Sequence, residues 1–118
     1  MLKPFYPLTF LGLAALLASP ALRAESCSAQ SGEGVPLLVE LYTSEGCDSC
    51  PSADRWLSGI GRDKPGLLAA AFHVDYWDRL GWKDRFGSPA HTARQAQSLS
   101  YSGARFAYTP QFIVNGRD

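Results

Sequence analysis

Three short apolar, β-favouring runs alternate with helix-like segments, and this alternation constrains the fold of the chain more than any other feature. The runs extend over Leu37 to Thr43, Leu67 to Val74 and Gln111 to Val114. The first of these runs is short and apolar enough to be typical of a strand that is buried on both faces of a sheet. The order strand, helix, strand, helix, strand predicts an α/β unit with parallel strands joined by a right-handed crossover.

The two intervening segments carry the signals of helices. In the first, apolar residues recur at the i, i+3, i+4, i+7 spacing that places them on one helical face. These residues are Ala53, Trp56, Leu57 and Ile60. Pro51 fits the first turn of this helix, and Gly61 is a plausible end. In the second segment, Ser88 followed by Pro89 predicts a helix start, and that helix runs to about Leu99.

Asn115-Gly116, directly after the third run, is the strongest short signal for a β-hairpin. Only Arg117 and Asp118 follow it, so the run from Gln111 to Val114 would keep an unpaired edge. We therefore expect the domain to be incomplete at the C-terminus of this chain.

Residues 1–24 have the three-part layout of a secretory signal peptide. Lys3 supplies a positive start, Leu8 to Ala18 is apolar, and Ala24 is a small residue at which cleavage can occur. An uncleaved anchor helix is the alternative interpretation. We predict cleavage after Ala24, no stable membrane insertion afterwards, and a periplasmic or secreted protein.

The remaining chain is predicted to be a polar, flexible lead-in at 25–34 followed by one domain at 35–118. Cys27 in the lead-in could carry a lipid, pair with a cysteine outside this chain, pair between chains or stay free. A length of 118 residues allows one domain, and 46% hydrophobic residues argue against general disorder. The 11 basic and 11 acidic side chains balance, which argues against a nucleic-acid-binding surface.

Cys47-Asp48-Ser49-Cys50 lies where the first strand gives way to the first helix. Two cysteines at this spacing lie on the same side of the first helical turn, so they can form a disulfide or remain two thiols. The unpaired N–H groups and positive dipole end of the helix favour the thiolate, which is the attacking species. We predict Cys47, nearer the open turn, as the nucleophile, and Cys50, one step inside the helix, as the resolving thiol.

Two other interpretations of this pair remain open. A half zinc site would need two more ligands, for which only Cys27, His73 and His91 are available. A purely structural disulfide is also possible, although so small a loop constrains the unfolded chain less than a long one.

A wider set of motifs resembles the thioredoxin fold. It comprises Leu38 to Tyr42, Cys47 to Cys50, and Thr109-Pro110 leading into Gln111 to Val114 and Asn115-Gly116. Within thioredoxin-like proteins, the chain resembles one exported group in particular, the domain-of-unknown-function family 1223. This resemblance lies in three strings, Val39 to Cys47, His73 to Trp77 and Tyr108 to Gln111. The resemblance implies a thioredoxin-like βαβαβ unit with a central mixed sheet and a dithiol site. It also implies a cis Thr109–Pro110 bond beside that site.

The chain departs from the thioredoxin pattern near the cysteines. Thioredoxins carry Trp before the first cysteine and Gly-Pro between the two, whereas this chain has Gly46 and Asp48-Ser49. Because a like charge raises a thiol pKa, Asp48 predicts a milder oxidant or a reductant. The fold also places a buried carboxylate on the first strand, one position closer to the cysteines than Glu40. We predict that Glu40 accepts the proton of Cys50, with a solvent-facing edge position as the alternative.

Weaker candidates surround this site in the sequence. His73 and Asp75 end the second strand, where α/β folds usually place their sites. His73 is either a hydrogen-bonded core residue or a ligand with Cys47 and Cys50, as in thioredoxin-like copper-delivery proteins. Trp77 and Trp82, with Phe86, lie in the following loop and could form an aromatic wall that contacts a partner; a small satellite core is the alternative.

The sequence therefore predicts an exported thiol–disulfide oxidoreductase. Its partners would be protein or small-molecule thiols and disulfides that dock against Thr109-Pro110, and no cofactor is expected. The alternative is a thioredoxin-like module that carries copper or a thiol partner without turnover.

Overall fold

The structure of the protein is a computed structural model that describes residues 28, 30, 32–60, 62 and 64–118. The predicted signal peptide and Cys27 lie outside the described residues. The strands are β1 (Leu37–Thr43), β2 (Leu67–His73) and β3 (Gln111–Val114), and the helices are α1 (Pro51–Ile60) and α2 (Pro89–Ser102). A short 3₁₀ helix, Asp78–Leu80, lies in the β2–α2 loop, residues 74–88.

The three strands form one mixed sheet in the order β2-β1-β3. β1 runs parallel to β2, with Leu37 opposite Leu67 and Thr43 opposite His73. It runs antiparallel to β3, with Tyr42 opposite Gln111. The predicted α/β class and the thioredoxin-like βαβαβ arrangement with a central mixed sheet are confirmed.

Alternation along β1 divides the core into two halves, because successive strand residues point to opposite faces. Val39 and Leu41 pack with Ala53 and Leu57 of α1. On the other face, Tyr42 packs with Val74 and Ile113 in a second apolar cluster. α2 covers this second face, and its His91 ring contacts Phe72 of β2 edge-to-face. The central strand is thus buried on both sides, as its apolar sequence predicts.

Local signals fix the element ends. The Ser88 hydroxyl accepts the Ala90 N–H at 3.2 Å, and Pro89 follows it at the first position of α2. α2 continues past the expected Leu99 to Ser102 and ends at Gly103, whose φ of 87° is in the left-handed region.

Asn115 and Gly116 make the tight turn that their sequence predicts. Their φ angles are 48° and 78°, the positive values that this hairpin turn requires at both central residues. Val114 and Arg117 exchange backbone hydrogen bonds of 2.7 and 3.0 Å across the turn. No helix within the described part of the chain is long and apolar enough to span a bilayer.

Candidate functional site

Cys47 and Cys50 are joined by a disulfide between the end of β1 and the start of α1. Cys50 is the N-cap of α1, and its carbonyl oxygen accepts the Asp54 N–H at 3.1 Å. The expectation that Cys50 lies one step inside the helix is therefore wrong by one position, because Pro51 takes the first helical place. Both sulfurs remain at the positive end of the α1 dipole.

The two cysteines are about equally buried. Cys47 is 2% exposed and Cys50 is 0% exposed, whereas Asp48 and Ser49 between them are exposed. The Ser49 hydroxyl lies 3.6 Å from Cys47 Sγ. Exposure gives little preference between the sulfurs, so the assignment of Cys47 as nucleophile depends on its position in the open turn, three residues before the N-cap Cys50.

The bond between Thr109 and Pro110 is cis, as the thioredoxin resemblance predicts. It directly precedes β3, which is antiparallel to β1. The start of β3 and the end of β1 therefore meet at one edge of the sheet, and this topology brings the cis bond to the end of the molecule where Cys47 lies.

Trp77 links the cis bond to the segment before the disulfide. Its indole Nε1 donates to Thr109 Oγ1 at 2.8 Å. A Cβ built on Gly46 would lie 3.2 Å from the Trp77 Cβ, closer than side chains normally approach. Glycine at this position, where thioredoxins carry Trp, leaves room for the Cβ and the backbone carbonyl of Trp77 from the β2–α2 loop.

Trp82 is tied to the same segment through Glu45, two residues before Cys47. Its Nε1 donates to Glu45 Oε2 at 3.0 Å, although the residue remains 63% exposed. Arg85 donates to the other oxygen, Oε1, at 3.1 Å, and its guanidinium lies over the Phe86 ring. The sequence does not indicate a role for Glu45 or Arg85, because charged residues in a polar loop give no sign of being paired.

Asp84 is a third residue whose place at this site the sequence does not indicate. Its buried carboxylate accepts the Glu45 N–H and the Phe86 N–H, both at 2.8 Å, and contacts His73 Nδ1 at 2.6 Å. Burial alone would raise the pKa of Asp84, but these hydrogen bonds outweigh it and hold the pKa below its ordinary value. An anionic carboxylate thus fixes the β2–α2 loop against the segment that leads to Cys47.

Glu40 lies on the face of the sheet opposite α1. It is 3% exposed, and its Oε1 accepts from Nε and Nη2 of Arg94 on α2, at 2.9 and 2.6 Å. The solvent-facing alternative is wrong, because Glu40 is buried. The structure pairs the carboxylate with Arg94, not with the cysteines. The one-position offset from the thioredoxin carboxylate explains this, since adjacent strand positions face opposite ways.

His73 likewise has hydrogen-bond partners other than the cysteines. Its Nδ1 bonds to Asp84, and its carbonyl oxygen is bonded to His91 Nδ1 at 2.9 Å. Asp75 accepts the Thr92 hydroxyl at 2.6 Å. Within the described residues, no three His, Cys, Asp or Glu side chains lie close enough to hold a metal ion. The geometry gives no support to the copper-carrier alternative, in which His73 joins Cys47 and Cys50.

Fold and site together define a thioredoxin-like protein with a disulfide at the β1–α1 junction. The chain belongs to the family described as protein of unknown function (DUF1223), whose model matches residues 38–118. The family description assigns no activity.

A solved relative shares this fold. The X-ray crystal structure of protein AGR_C_4864 from Agrobacterium tumefaciens is 44% identical to this chain, with a TM-score of 0.64. The match covers 75% of this chain and 39% of that one, so the chain spans well under half the length of this relative. No curated protein matches the chain.

Proposed function

We propose that this protein is an exported thiol–disulfide oxidoreductase that uses the Cys47–Cys50 pair. The observation that carries the proposal is the disulfide at the N-terminus of α1, at the same end of the sheet as the cis Thr109–Pro110 bond. A helix N-terminus stabilises the thiolate that must leave or attack in such an exchange. Export to the periplasm or the exterior would supply an oxidising compartment in which the disulfide persists.

The exchange begins from the oxidised pair. A partner thiolate attacks Cys47 Sγ, the Cys47–Cys50 bond breaks, and Cys50 leaves as a thiolate beside the helix N-terminus. A second partner thiolate then attacks the partner sulfur of the mixed disulfide and releases Cys47. Two electrons and two protons pass from the partner dithiol to the cysteine pair, and the reverse sequence reduces a partner disulfide.

The partner site would be formed by the loops around the disulfide. Thr109 and Pro110 would receive the partner chain, with Trp77 fixing Thr109 and the exposed Trp82 offering an aromatic contact. Because Cys47 is only 2% exposed, docking has to open a path to its sulfur. Protein thiols that bring such docking energy would therefore react faster than free small thiols.

A redox titration of the full-length protein tests the proposal. In glutathione buffers of stepped ratio, followed by alkylation of free thiols, Cys47 and Cys50 should interconvert reversibly between disulfide and dithiol. A pair that stays oxidised, or stays reduced, across the whole range of buffers would contradict the proposal.

Trapping of the mixed disulfide tests the order of the steps. With Cys50→Ser, a partner attached at Cys47 cannot be released by the second cysteine, so the adduct should accumulate on non-reducing gels. The matched variant Cys47→Ser should accumulate far less. Equal adducts in both variants would contradict the assignment of Cys47 as the nucleophile.

A further inference from the structure

One buried side chain of α2 contacts two of the loops at the disulfide end of the molecule. Gln95 is 0% exposed. Its amide nitrogen donates to the Tyr108 carbonyl oxygen at 2.8 Å and to Gln111 Oε1 at 2.7 Å. Its amide oxygen accepts the Tyr76 hydroxyl at 3.3 Å. Both N–H donors and the carbonyl of this amide are therefore used.

These partners surround the cis bond. The two acceptors of the Gln95 amide nitrogen are the residues immediately before and after Thr109–Pro110. Tyr76 neighbours Trp77, whose indole donates to Thr109 Oγ1 at 2.8 Å. Gln95 thus binds the chain on both sides of the cis bond. Through Tyr76 it also binds the β2–α2 loop, whose Trp77 donates to Thr109.

A core-filling role does not account for this side chain. Burying a primary amide costs free energy unless every donor and acceptor is paired, and an apolar side chain of the same length would fill the space without that cost. An apolar replacement would leave the Tyr108 carbonyl and the Gln111 amide oxygen without the donor that they now share. The glutamine therefore positions the backbone on either side of Thr109–Pro110, and filling space in the core is not its main role.

We propose that Gln95 is a positioning residue of the exchange site, which sets the Thr109–Pro110 segment where a polypeptide partner docks beside Cys47. The inference rests on the proposed thiol–disulfide exchange. It adds that the preferred partner is an extended peptide segment, because only a partner that lies along this backbone depends on where Gln95 places it. A small dithiol needs access to sulfur alone.

The test compares Gln95→Met with Gln97→Met in the full-length oxidised protein. Gln97 lies two residues along the same helix and is exposed, so it is a matched control. Reduction is measured with dithiothreitol and with a reduced dithiol peptide. Loss of this buried network should slow the peptide reaction about tenfold, leave the dithiothreitol reaction within about twofold, and leave both rates of Gln97→Met unchanged. Equal slowing with both reductants, or no slowing in folded Gln95→Met, overturns the proposal.

A second measurement does not depend on activity. Hydrogen exchange of the Trp77 indole N–H, followed by NMR, reports its bond to Thr109. Exchange should accelerate in Gln95→Met and not in Gln97→Met, and unchanged exchange overturns the positioning role. If the wild type reacts with neither reductant, the proposed function fails and this measurement still decides the role of Gln95. If Gln95→Met does not fold, Tyr76→Phe removes one of its contacts and should accelerate the same exchange about threefold.

Discussion

At the scale of single residues, the segment before Cys47 depends on polar side chains that are remote in sequence. Asp84 holds the Glu45 N–H, while Trp82 and Arg85 hold the Glu45 carboxylate. Gly46, between Glu45 and Cys47, packs closely against Trp77 of the β2–α2 loop, which leaves little room for a side chain at position 46. The approach to the disulfide is thus determined by residues that lie 30 or more positions along the chain.

Replacing Asp84 by asparagine should destabilise the oxidised protein by about 2 kcal/mol at pH 7. The neutral amide cannot accept the hydrogen bonds of Glu45, Phe86 and His73 as the carboxylate does. Urea unfolding measures the difference. Asp48→Asn, at an exposed position with no such contacts, is the matched control and should change stability by less than about 0.5 kcal/mol.

We also expect the stability difference between the wild type and Asp84→Asn to depend on pH. The folded state holds the pKa of Asp84 below its ordinary value of 3.8, so it binds the proton more weakly than the unfolded chain does. This contribution to stability is present above that ordinary value and is lost as the pH falls through the folded pKa. The stability gap between wild type and Asp84→Asn should therefore narrow below about pH 4. A gap that widens in acid would contradict the assignment of an anionic Asp84.

At the scale of elements, β1 directs two kinds of chemistry to its two faces. Its α1 face is apolar, with Val39 and Leu41 behind the helix that begins after Cys50. Its α2 face holds Tyr42 and the buried Glu40, which forms an ion pair with the solvent-accessible Arg94. Burial, followed by the negative charge of Glu40, raises the pKa of Tyr42 to about 12 despite the nearby Arg94. The one charged side chain of β1, Glu40, therefore contacts α2 and lies on the face opposite α1.

Replacing Glu40 by glutamine should lower stability by about 1–2 kcal/mol, since Arg94 loses its charged partner but keeps partial access to water. The rate at which Cys50 resolves a mixed disulfide should not change. The Glu40 carboxylate is bonded to Arg94 on the α2 face of the sheet, whereas Cys50 lies at the start of α1. Stopped-flow kinetics with a small mixed disulfide on Cys47, together with urea unfolding, measure both effects. Glu33→Gln, in the exposed lead-in, is the control for stability. A resolution rate that falls tenfold or more would restore the proton-acceptor role predicted for Glu40.

At the scale of the whole molecule, three connections between elements meet at one end of the sheet and form the candidate site. The β1–α1 connection brings the disulfide, the β2–α2 loop brings Trp77 and Asp84, and the segment before β3 brings Thr109–Pro110. Side-chain hydrogen bonds join these connections to one another and, through Gln95, to α2.

Oxidised protein should be more stable than reduced protein by about 2 kcal/mol, because the disulfide closes a short loop in the unfolded chain. The negative charge of Asp48 acts in the same direction, since it disfavours a thiolate in the reduced form. Urea unfolding of both redox states measures the difference, with Cys47→Ser as the control that has no redox dependence. A reduced form that is the more stable of the two would place this protein among strong oxidants and contradict the prediction from Asp48.

The sequence by itself determined the order of elements, because apolar periodicity and turn chemistry act over short distances. It predicted β1, the Cys-x-x-Cys junction, the Ser88-Pro89 helix start and the Asn115-Gly116 turn, and the resemblance supplied the cis bond at Pro110. Only the tertiary structure decided which polar residues serve the site. Glu40 and Asp84 are both acidic residues with no local sign of their partners. A buried carboxylate is defined by the groups that approach it, and those groups arrive from other loops and helices.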